Sequence, residues 1–346
     1  MIILGIESSC DESALALFDS EKGMMGEWIH TQLKLHEQYG GVVPALASRE
    51  HLENFPHLLS KVQEALNGQK LDQIAVTYGP GLAGCLALGV SLAKALALSQ
   101  AVPLLGVNHL GGHAFSPFIS LHEEAPQQFT QKLQSYLPHL GFLVSGGNTI
   151  LFQIDEAYQL SILAETVDDA AGECLDKGAR MLGITNYPGG PHIERLAQTG
   201  NAKAFDFPQA FPSPKDLKFS FSGVKTSMRY LLDSIPEPKR QALLSDLCAS
   251  YQHAVISQLI RKTRHILASG KTYQSLGLSG GVANNNLLRR ELTQVGNEYQ
   301  IPTLLAKKQH TGDNAGMIAF AAYADPKGCI QCHHWDLNFD PSVGLC

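Results

Sequence analysis

Short apolar runs separated by polar turns open the chain. The runs cover Ile2–Ile6, Ala14–Phe18 and Met24–His30, and the turn Ser8-Ser9-Cys10-Asp11-Glu12-Ser13 separates the first two. Runs of this length between turn residues predict an antiparallel meander of three strands. From Pro44 to Leu66 the apolar residues recur at helical spacing among charged residues, so an amphipathic helix is predicted after the meander.

A strand, a helix and another strand are predicted next. The apolar run Gln73–Thr77 leads into the turn Gly79-Pro80-Gly81, the apolar segment Ala83–Ser99 and the further run Leu104–Val107. This order predicts a right-handed crossover with a buried helix. Glycine, serine and lysine interrupt the helical segment, which falls short of the roughly 20 apolar residues that a membrane span needs. No membrane partner is therefore expected.

The second half of the chain repeats this order. Strands are predicted at Leu140–Val144, Thr149–Ile154, Leu160–Thr166, Ser275–Leu278 and Pro302–Leu305. Helices are predicted at Asp168–Leu182, Arg240–Ala268, Asn284–Val295 and Gly312–Tyr323, with an irregular stretch over 187–222. Two halves of one design in 346 residues predict a duplicated α/β protein with two domains. We place the first domain at 1–136 and the second at 137–323, with the segment 324–346 joining the first.

Glycine-rich turns recur where predicted strands end and predicted helices begin. They include Ser145-Gly146-Gly147, Gly189-Gly190 and Ser279-Gly280-Gly281. Taken singly, each is more simply a tight turn, but together they favour a bound nucleotide, because such turns present backbone N–H groups to phosphate. The chain has neither a P-loop nor a Rossmann fingerprint, so an actin-like cleft between the halves is predicted to hold the nucleotide.

Composition limits the choice of partners. The 26 Lys and Arg residues and 32 Asp and Glu residues give a net charge of −6, and 44% of residues are apolar. The chain is therefore globular, and an RNA partner would need a local basic surface or a helper protein. Basic residues cluster as Lys215, Lys218, Lys225 and Arg229, as Arg261, Lys262 and Arg264, and as Arg289, Arg290, Lys307 and Lys308. These clusters are either ordinary solvated surface or an RNA path.

Cysteine usage and the apolar start favour a reducing compartment. Seven cysteines and a first segment without basic residues predict free thiols and a cytoplasmic location. The tail Cys329-Ile330-Gln331-Cys332-His333, with His334 and Cys346, resembles a haem-attachment or a loose zinc-binding pattern. Haem attachment requires export and structural zinc sites usually have two clean ligand pairs, so an unliganded tail is expected.

Two histidines one helical turn apart form the sharpest local motif. In His109-Leu110-Gly111-Gly112-His113 the imidazoles share one face if the segment is helical, and such a pair can bind one metal ion. Chance spacing is the alternative in a chain with 14 histidines. A zinc protease has Glu where Leu110 stands, so protease chemistry is not expected. Asp313 is the leading candidate for a third ligand, with a helix N-cap as its alternative role.

Acidic residues are dense on the predicted helix Asp168–Leu182. Asp168, Asp169 and Glu173 near its start suit the helix dipole. Asp176 lies too far into the helix for that role, and its carboxylate can accept hydrogen bonds from a ribose or from a substrate hydroxyl or amine. Asp11 and Glu12, in the first hairpin turn, are either turn residues or part of a site.

Linked motifs along the whole chain resemble one protein family. They are Gly5-Ile6-Glu7-Ser8-Ser9-Cys10-Asp11-Glu12, Tyr78-Gly79-Pro80-Gly81, Asn108-His109-Leu110-Gly111-Gly112-His113, Leu143-Val144-Ser145-Gly146-Gly147, Asp168-Asp169-Ala170-Ala171-Gly172-Glu173, Tyr187-Pro188-Gly189-Gly190-Pro191, Phe219-Ser220-Phe221-Ser222-Gly223 and Asp313-Asn314. In this order they resemble the bacterial tRNA threonylcarbamoyladenosine synthase subunit, the TsaD family, from residue 2 to about 325. Asn148 replaces the His of many members, and Cys174-Leu175 replaces the commoner Ala-Phe.

The resemblance implies a fold and a set of site residues. The fold is the actin-like (ASKHA) architecture, with two duplicated RNase H-like domains and a central nucleotide cleft. The implied metal ligands are His109, His113 and Asp313, so ligands from both predicted domains would converge on one divalent ion, Fe2+ by preference or Zn2+. The implied substrate-binding residues are Leu143, Val144, Ser145, Gly146, Gly147, Asp176, Gly189 and Asn285. Asp11 is assigned as a catalytic group near the leaving phosphate or the incoming amine.

The resemblance also implies a reaction and partners. The family transfers a threonylcarbamoyl group from threonylcarbamoyl-AMP to N6 of adenosine 37 in tRNAs that read codons starting with A. The cleft would hold threonylcarbamoyl-AMP or ATP/AMP. Besides tRNA, the implied partners are a shorter inactive paralogue (TsaB-like) and a small ATPase (TsaE-like). The rival hypotheses are a sugar or acetate kinase of the same fold, which would bind Mg2+ through carboxylates and water, and a non-catalytic scaffold.

Overall fold

The computed structural model of this chain describes residues 1–331, 333 and 335–346. Cys332 and His334, to which the haem and zinc interpretations of the tail refer, lie outside the described residues. The strands are β1 (Ile2–Glu7), β2 (Glu12–Asp19), β3 (Gly23–Thr31), β4 (Gln73–Gly79), β5 (Leu104–Asn108), β6 (His139–Val144), β7 (Thr149–Ile154), β8 (Leu160–Thr166), β9 (Lys218–Phe219), β10 (Ser275–Ser279), β11 (Thr303–Leu305) and β12 (Ile330–Gln331).

Helices connect these strands and cover the sheets. They are α1 (Leu33–Glu37), α2 (Pro44–Leu66), α3 (Ala83–Gln100), α4 (His109–Phe115), α5 (Ile119–Glu124), α6 (Phe129–Ser135), α7 (Ala171–Met181), α8 (Gly190–Ala197), α9 (Ser222–Ser234), α10 (Glu237–Arg240), α11 (Leu244–Leu267), α12 (Asn286–Glu298) and α13 (Ala315–Ala324). Short 3-10 turns lie at Ser116–Phe118, Pro126–Gln128, Gly281–Asn284 and Lys308–His310.

Unit 1 comprises residues 1–135 and 306–346 and contains one six-stranded sheet in the order β12-β5-β4-β1-β2-β3. Strands β1, β2 and β3 form the predicted antiparallel meander, while β4 and β5 extend the sheet parallel to β1. Helix α2 packs on β2 and β3, and α3 packs on β4. The apolar positions of these strands and helices close one core, which includes Leu4, Leu15, Phe55, Val76 and Val90.

Unit 2 comprises residues 136–305 and repeats this plan. Its sheet has the order β11-β10-β6-β7-β8-β9, in which β6, β7 and β8 are the antiparallel meander. Strands β10 and β11 extend the sheet parallel to β6, as β4 and β5 do in unit 1. The shared strand plan confirms the predicted duplicated α/β architecture.

Helix α13 lies in unit 1, whereas we predicted that residues 306–323 belong to the second domain. The helix packs on β1, β2 and α4. Glycine at position 5 of β1 permits this approach, since a Cβ there would collide with the carbonyl oxygen of Ala315 at the start of α13. Sequence order places α13 after β11, the last strand of the second sheet along the chain, and only this close packing assigns the helix to the first sheet.

Helix α3 is the described helix that is long and apolar enough to cross a membrane. It is also built as a core helix, because Cys85, Leu86, Val90, Ala93 and Ala97 are buried along it. A buried helix of a globular unit satisfies the same test of length and hydropathy. The structure buries one face of α3, a third of its residues, so the predicted buried helix is found for that face only.

Helix boundaries differ from the predictions in the second unit. Helix α7 begins at Ala171 and not at Asp168, because the Asp168 carboxylate instead accepts hydrogen bonds from the backbone N–H of Phe221 and the hydroxyl of Ser220. The helix predicted over Arg240–Ala268 is α11, which begins only at Leu244, after the short helix α10 has ended at Arg240. Helix α8 lies in the stretch that was predicted to be irregular.

Candidate metal centre and active site

Helix α4 carries the two predicted histidine ligands. The helix begins directly after β5 because the side-chain oxygen of Asn108 accepts the backbone N–H groups of Leu110 and Gly111, at 2.8 and 3.1 Å. With the helix established, His109 and His113 lie one turn apart on one face, and their ring centroids are 4.9 Å apart. The helical condition on which the prediction depended is met.

Asp313 lies immediately before helix α13 and does not cap it. The N-cap is Asn314, whose side-chain oxygen accepts the backbone N–H of Met317 at 2.8 Å. The capping alternative for Asp313 is therefore wrong, and its carboxylate faces α4 instead. One carboxylate oxygen lies 3.0 Å from Nε2 of His113 and 3.4 Å from Nε2 of His109.

These three side chains fit a metal ion. Their ligand atoms lie within 4.8 Å of one another, and they are the group of this kind found among the described residues. Two ligand atoms that each lie about 2.1 Å from one ion are separated by roughly 3 to 3.5 Å, which matches the two distances to Asp313. Two imidazoles and one carboxylate suit Fe2+ or Zn2+ and leave coordination positions open.

The ligand group belongs to unit 1 alone. The histidines follow β5, and Asp313 precedes α13, so all three lie in residues 1–135 and 306–346. We expected each of the two domains to contribute ligands, and the structure contradicts this expectation. The cause is the placement of α13 on β1 and α4, described above.

Electrostatics bind this group together even without an ion. Burial lowers the pKa of the His109 imidazole, but the carboxylates of Asp313 and Glu7 outweigh burial and hold that pKa well above its usual value. Burial likewise raises the pKa of Asp313, and the two imidazoles more than reverse this, so the carboxylate stays ionised. A cation at this position would take over the attraction that the His109 proton now supplies.

Residues behind His109 were not singled out by the sequence. Glu7, at the end of β1, is fully buried, and its Oε2 lies 3.0 Å from Nδ1 of His109. The hydroxyls of Ser9 and Thr77 complete the contacts, at 3.1 Å from His109 Nδ1 and 2.5 Å from Glu7 Oε2. A carboxylate that ends an apolar strand is the signal that could have marked Glu7, because burying an unpaired charge is costly.

The turn that carries Asp11 lies beside the same group. Ser9 contacts His109. Burial raises the pKa values of Cys10 and Glu12, and the charges of Asp11 and Asp313 raise both pKa values further. Buried His51 holds this turn from α2. Its Nδ1 lies 2.7 Å from the hydroxyl of Ser13, and its Nε2 lies 3.1 Å from the carbonyl oxygen of Cys10. The catalytic role of Asp11 stays a prediction.

The residues Leu143 to Gly147 form the end of β6 and the turn into β7. Two other glycine positions pack closely on this turn. A Cβ at Gly172 of α7 would lie 2.5 Å from the carbonyl oxygen of Ser145, and one at Gly280 would collide with that of Val144. Around Gly146, Gly147 and Gly281 the space is open, so this side of the turn can accept a ligand.

The remaining predicted substrate residues also lie in unit 2. Asp176 of α7 accepts the backbone N–H of Gly190 at 2.9 Å, and burial raises its pKa despite that bond and the one from Gly189. Asn285 is the N-cap of α12, where its oxygen accepts the N–H of Leu288 and its amide donates to Gln252. Both side chains hold local structure, and their contacts with substrate stay predictions.

Several basic residues of the predicted clusters serve the fold. Lys262 is fully buried and donates hydrogen bonds to the carbonyl oxygens of Phe211, Ser213 and Asp216, so it cannot line an RNA path. Lys225 is paired with Asp169 at 2.5 Å. The other residues of these clusters remain candidates for contact with RNA.

Two mixed sheets of one plan, each with an antiparallel meander extended by parallel strands, define an α/β protein of the actin-like fold class. Solved structures of this class align along the chain. They include full-length HypF in its phosphate- and nucleotide-bound form, with a TM-score of 0.60, 12% identity and coverage of 94% of this chain and 46% of that chain. The activator of 2-hydroxyisocaproyl-CoA dehydratase from Clostridium difficile gives a TM-score of 0.51, with 11% identity and coverage of 94% and 96%. Identities this low show the fold alone.

Sequence comparison assigns the family within this class. The family model of TsaD, tRNA N6-adenosine threonylcarbamoyltransferase, matches residues 23–320. A tRNA N6-adenosine threonylcarbamoyltransferase of Desulfitobacterium hafniense is 44% identical, with 99% of this chain and 97% of that protein covered. One of Thermosipho melanesiensis is 41% identical, with 100% and 99% covered. The chain belongs to the TsaD family, and the predicted resemblance and enzyme class are confirmed.

Proposed function

We propose that this chain transfers a threonylcarbamoyl group from threonylcarbamoyl-AMP to N6 of adenosine 37 in tRNAs that read codons starting with A. Membership of the TsaD family supports the transferase activity on tRNA adenosine. The single structural observation that carries the proposal is the buried group of His109, His113 and Asp313, because a kinase of this fold would hold Mg2+ through carboxylates and water.

The reaction joins a weak nucleophile to an activated acyl group. N6 of adenine attacks the carbamoyl carbon, the C–N bond forms, the C–O bond to the phosphate breaks, and AMP leaves. N6 loses one proton in the process. Because an exocyclic amine is a poor nucleophile, positioning of the amine and stabilisation of the departing phosphate are expected to supply most of the acceleration.

Residues of unit 1 are assigned to the reacting groups. His109, His113 and Asp313 would hold a divalent ion, which would supply Lewis acidity toward the leaving phosphate. Fe2+ is the preferred ion and Zn2+ the alternative, since both accept two imidazoles and a carboxylate. The Asp11 carboxylate, in the turn beside this group, is assigned to accept the proton from N6 or to orient the amine.

Residues of unit 2 are assigned to the donor. The turn Leu143 to Gly147 offers backbone N–H groups beside open space at Gly146 and Gly147, which suits a nucleotide or its phosphate. Asp176, Gly189 and Asn285 are assigned to the ribose or threonyl part. Because ATP and AMP share the adenylate part of the donor, either is expected to compete with it.

Partners and location follow from the same proposal. We assign a TsaB-like inactive paralogue and a TsaE-like ATPase as partners because the family resemblance implies them. A net charge of −6 fits tRNA binding that is shared across such a complex. We also assign a cytoplasmic location, because the tRNA substrate and free cysteine thiols fit a reducing compartment. The cysteines within the described residues are free thiols.

The test is a reconstituted modification reaction. The full chain, its presumed partners, unmodified tRNA and threonylcarbamoyl-AMP are mixed, and tRNA nucleosides are analysed by mass spectrometry. We expect the modified adenosine with the native chain and losses of at least about 100-fold with His113→Ala or Asp313→Ala, beyond what changes outside the ligand set usually cost. His57→Ala is the matched control, because this histidine is exposed on α2 of the same unit. Unmodified adenosine 37 in an assay validated with an active relative would contradict the proposal.

A further inference from the structure

The carboxylate of Glu7 is buried and fully engaged. It is 0% exposed at the last position of β1, where its Oε1 accepts the backbone N–H of Ser9 at 2.6 Å. Its Oε2 accepts the hydroxyl of Thr77 at 2.5 Å and lies 3.0 Å from Nδ1 of His109. A buried carboxylate is costly unless its oxygens are paired in this way, so its presence calls for a role.

We propose that Glu7 is a positioning residue of the metal centre, which accepts the Nδ1–H of His109 and so directs the Nε2 lone pair of that ring toward the ion. The inference rests on the proposed metal site. A ligating histidine needs its second ring nitrogen bonded, because that bond sets the tautomer and the ring orientation.

The positions of the two ring nitrogens of His109 support this assignment. Nε2 of His109 faces the Asp313 carboxylate at 3.4 Å, while Nδ1 on the other side faces Glu7. Thr77 lies on β4, the parallel neighbour of β1, so the sheet itself fixes where the Glu7 carboxylate stands. The imidazole is therefore held from two sides by groups on separate elements.

The second histidine ligand is held differently. Nδ1 of His113 is buried and has no hydrogen-bond partner among the described residues. Its ring is oriented by packing in α4 and by the contact of Nε2 with Asp313. Since only His109 has a carboxylate behind it, a change at Glu7 should act on metal binding through one ligand and leave the other two in place.

The test measures metal affinity directly, with Co2+ as the probe and the full chain as the protein. Co2+ is titrated against a competing chelator, and its visible absorption reports the coordination geometry. Glu7→Ala is expected to weaken Co2+ binding about 10- to 100-fold. Glu7→Gln keeps an oxygen that can accept the Nδ1–H, so we expect it to restore part of the affinity while shifting the absorption bands.

Two further variants separate positioning from general stability. Asp72→Asn alters another carboxylate bonded to β1, at its opposite end, where Asp72 accepts the N–H of Ile2 at 2.6 Å. It is expected to lower stability and leave Co2+ affinity unchanged. Thr77→Val keeps the side-chain shape and removes only the hydroxyl that orients Glu7, so it tests the inference if Glu7→Ala does not fold.

The outcomes distinguish this inference from the metal site itself. The inference is supported if Glu7→Ala weakens Co2+ binding, Glu7→Gln restores part of the affinity, and Asp72→Asn leaves the affinity unchanged. If His109→Ala loses Co2+ while Glu7→Gln and Thr77→Val bind within twofold of the native chain, Glu7 has no positioning role and the metal site stands. If the native chain and His109→Ala bind Co2+ equally, both the metal site and this inference are wrong.

Discussion

Replacing Glu27 with Gln should stabilise unit 1 above neutral pH and leave its stability unchanged in acid. Glu27 lies in β3, with its side chain 12% exposed. Its Oε1 accepts the backbone N–H of Gly316, in the first turn of the helix that follows Asp313, at 3.0 Å. Burial raises the pKa of this carboxyl to about 7, although the Gly316 N–H opposes the change.

The sign and size follow from proton linkage. Below a pH of about 4.5 the carboxyl is neutral in the folded and unfolded chain, so it contributes no pH dependence. Between pH values of about 4.5 and about 7 the Glu27 carboxyl is ionised in the unfolded chain and still neutral in the folded chain, so rising pH favours unfolding. The resulting loss of folding stability is complete above the folded pKa. A pKa raised this far corresponds to a ceiling of about 3 kcal/mol in the free energy of unfolding. Gln cannot ionise and keeps an acceptor for Gly316, so it escapes this loss.

Tryptophan fluorescence isolates the unit concerned. The chain has two tryptophans, Trp28 and Trp335, and both lie in unit 1, so denaturant unfolding followed by their emission reports that unit. We expect Glu27→Gln to match the native chain near pH 4, below the unfolded pKa, and to exceed it by about 2 to 3 kcal/mol near pH 8. Glu21→Gln, at an exposed position after β2, is the control and should show no such trend. A difference that does not vary with pH, or a less stable variant near pH 8, would refute the reasoning.

Three further predictions concern the metal centre, unit 2 and the tail. Because neighbouring carboxylates raise the pKa of His109, Co2+ must displace a proton from that imidazole. The Co2+ affinity, measured by chelator competition, should therefore rise about tenfold per pH unit below that pKa. An affinity that does not vary with pH would contradict this. Lys262→Met should leave three carbonyl oxygens without their donor, cost about 3 kcal/mol and expose residues 209–216 to limited proteolysis, whereas an unchanged digest would count against it. Gly79→Ala should displace the C-terminal segment, because the new Cβ would collide with the carbonyl oxygen of Asp340. Unaltered protease resistance of the tail would contradict this expectation.

The strands and the glycine turns could be predicted because they are local. Alternation of apolar runs with turn residues identified both meanders, and the regular spacing from Pro44 to Leu66 matches α2 end to end. Helix starts were harder to predict, because two neighbouring polar residues can both serve as a cap. Asn314 caps α13 and Asp313 does not, a choice that depends on what α4 presents to the carboxylate.

The assignment of α13 to unit 1 could not be predicted, for a related reason. Its sequence is apolar on every side, so it carries no periodic signal of which sheet it covers. What decides the matter is a close approach to Gly5, some three hundred residues earlier in the chain. The candidate ligand Asp313 precedes that helix directly. The difference in the domain boundary and the difference in which domain contributes the candidate ligands therefore have one cause.

The contacts of Glu7 show what strand order adds to a motif. Strands β1, β4 and β5 are parallel neighbours, so their carboxyl ends meet at one edge of the sheet, which is where ligands bind in open α/β sheets. Glu7 ends β1, Thr77 lies near the end of β4, and His109 follows β5, so the three converge although 102 residues separate Glu7 from His109. Strands β1, β4 and β5 were each predicted, but their order in the sheet was not. Once that order is known, a carboxylate at the end of a buried strand becomes an expected neighbour of a metal ligand.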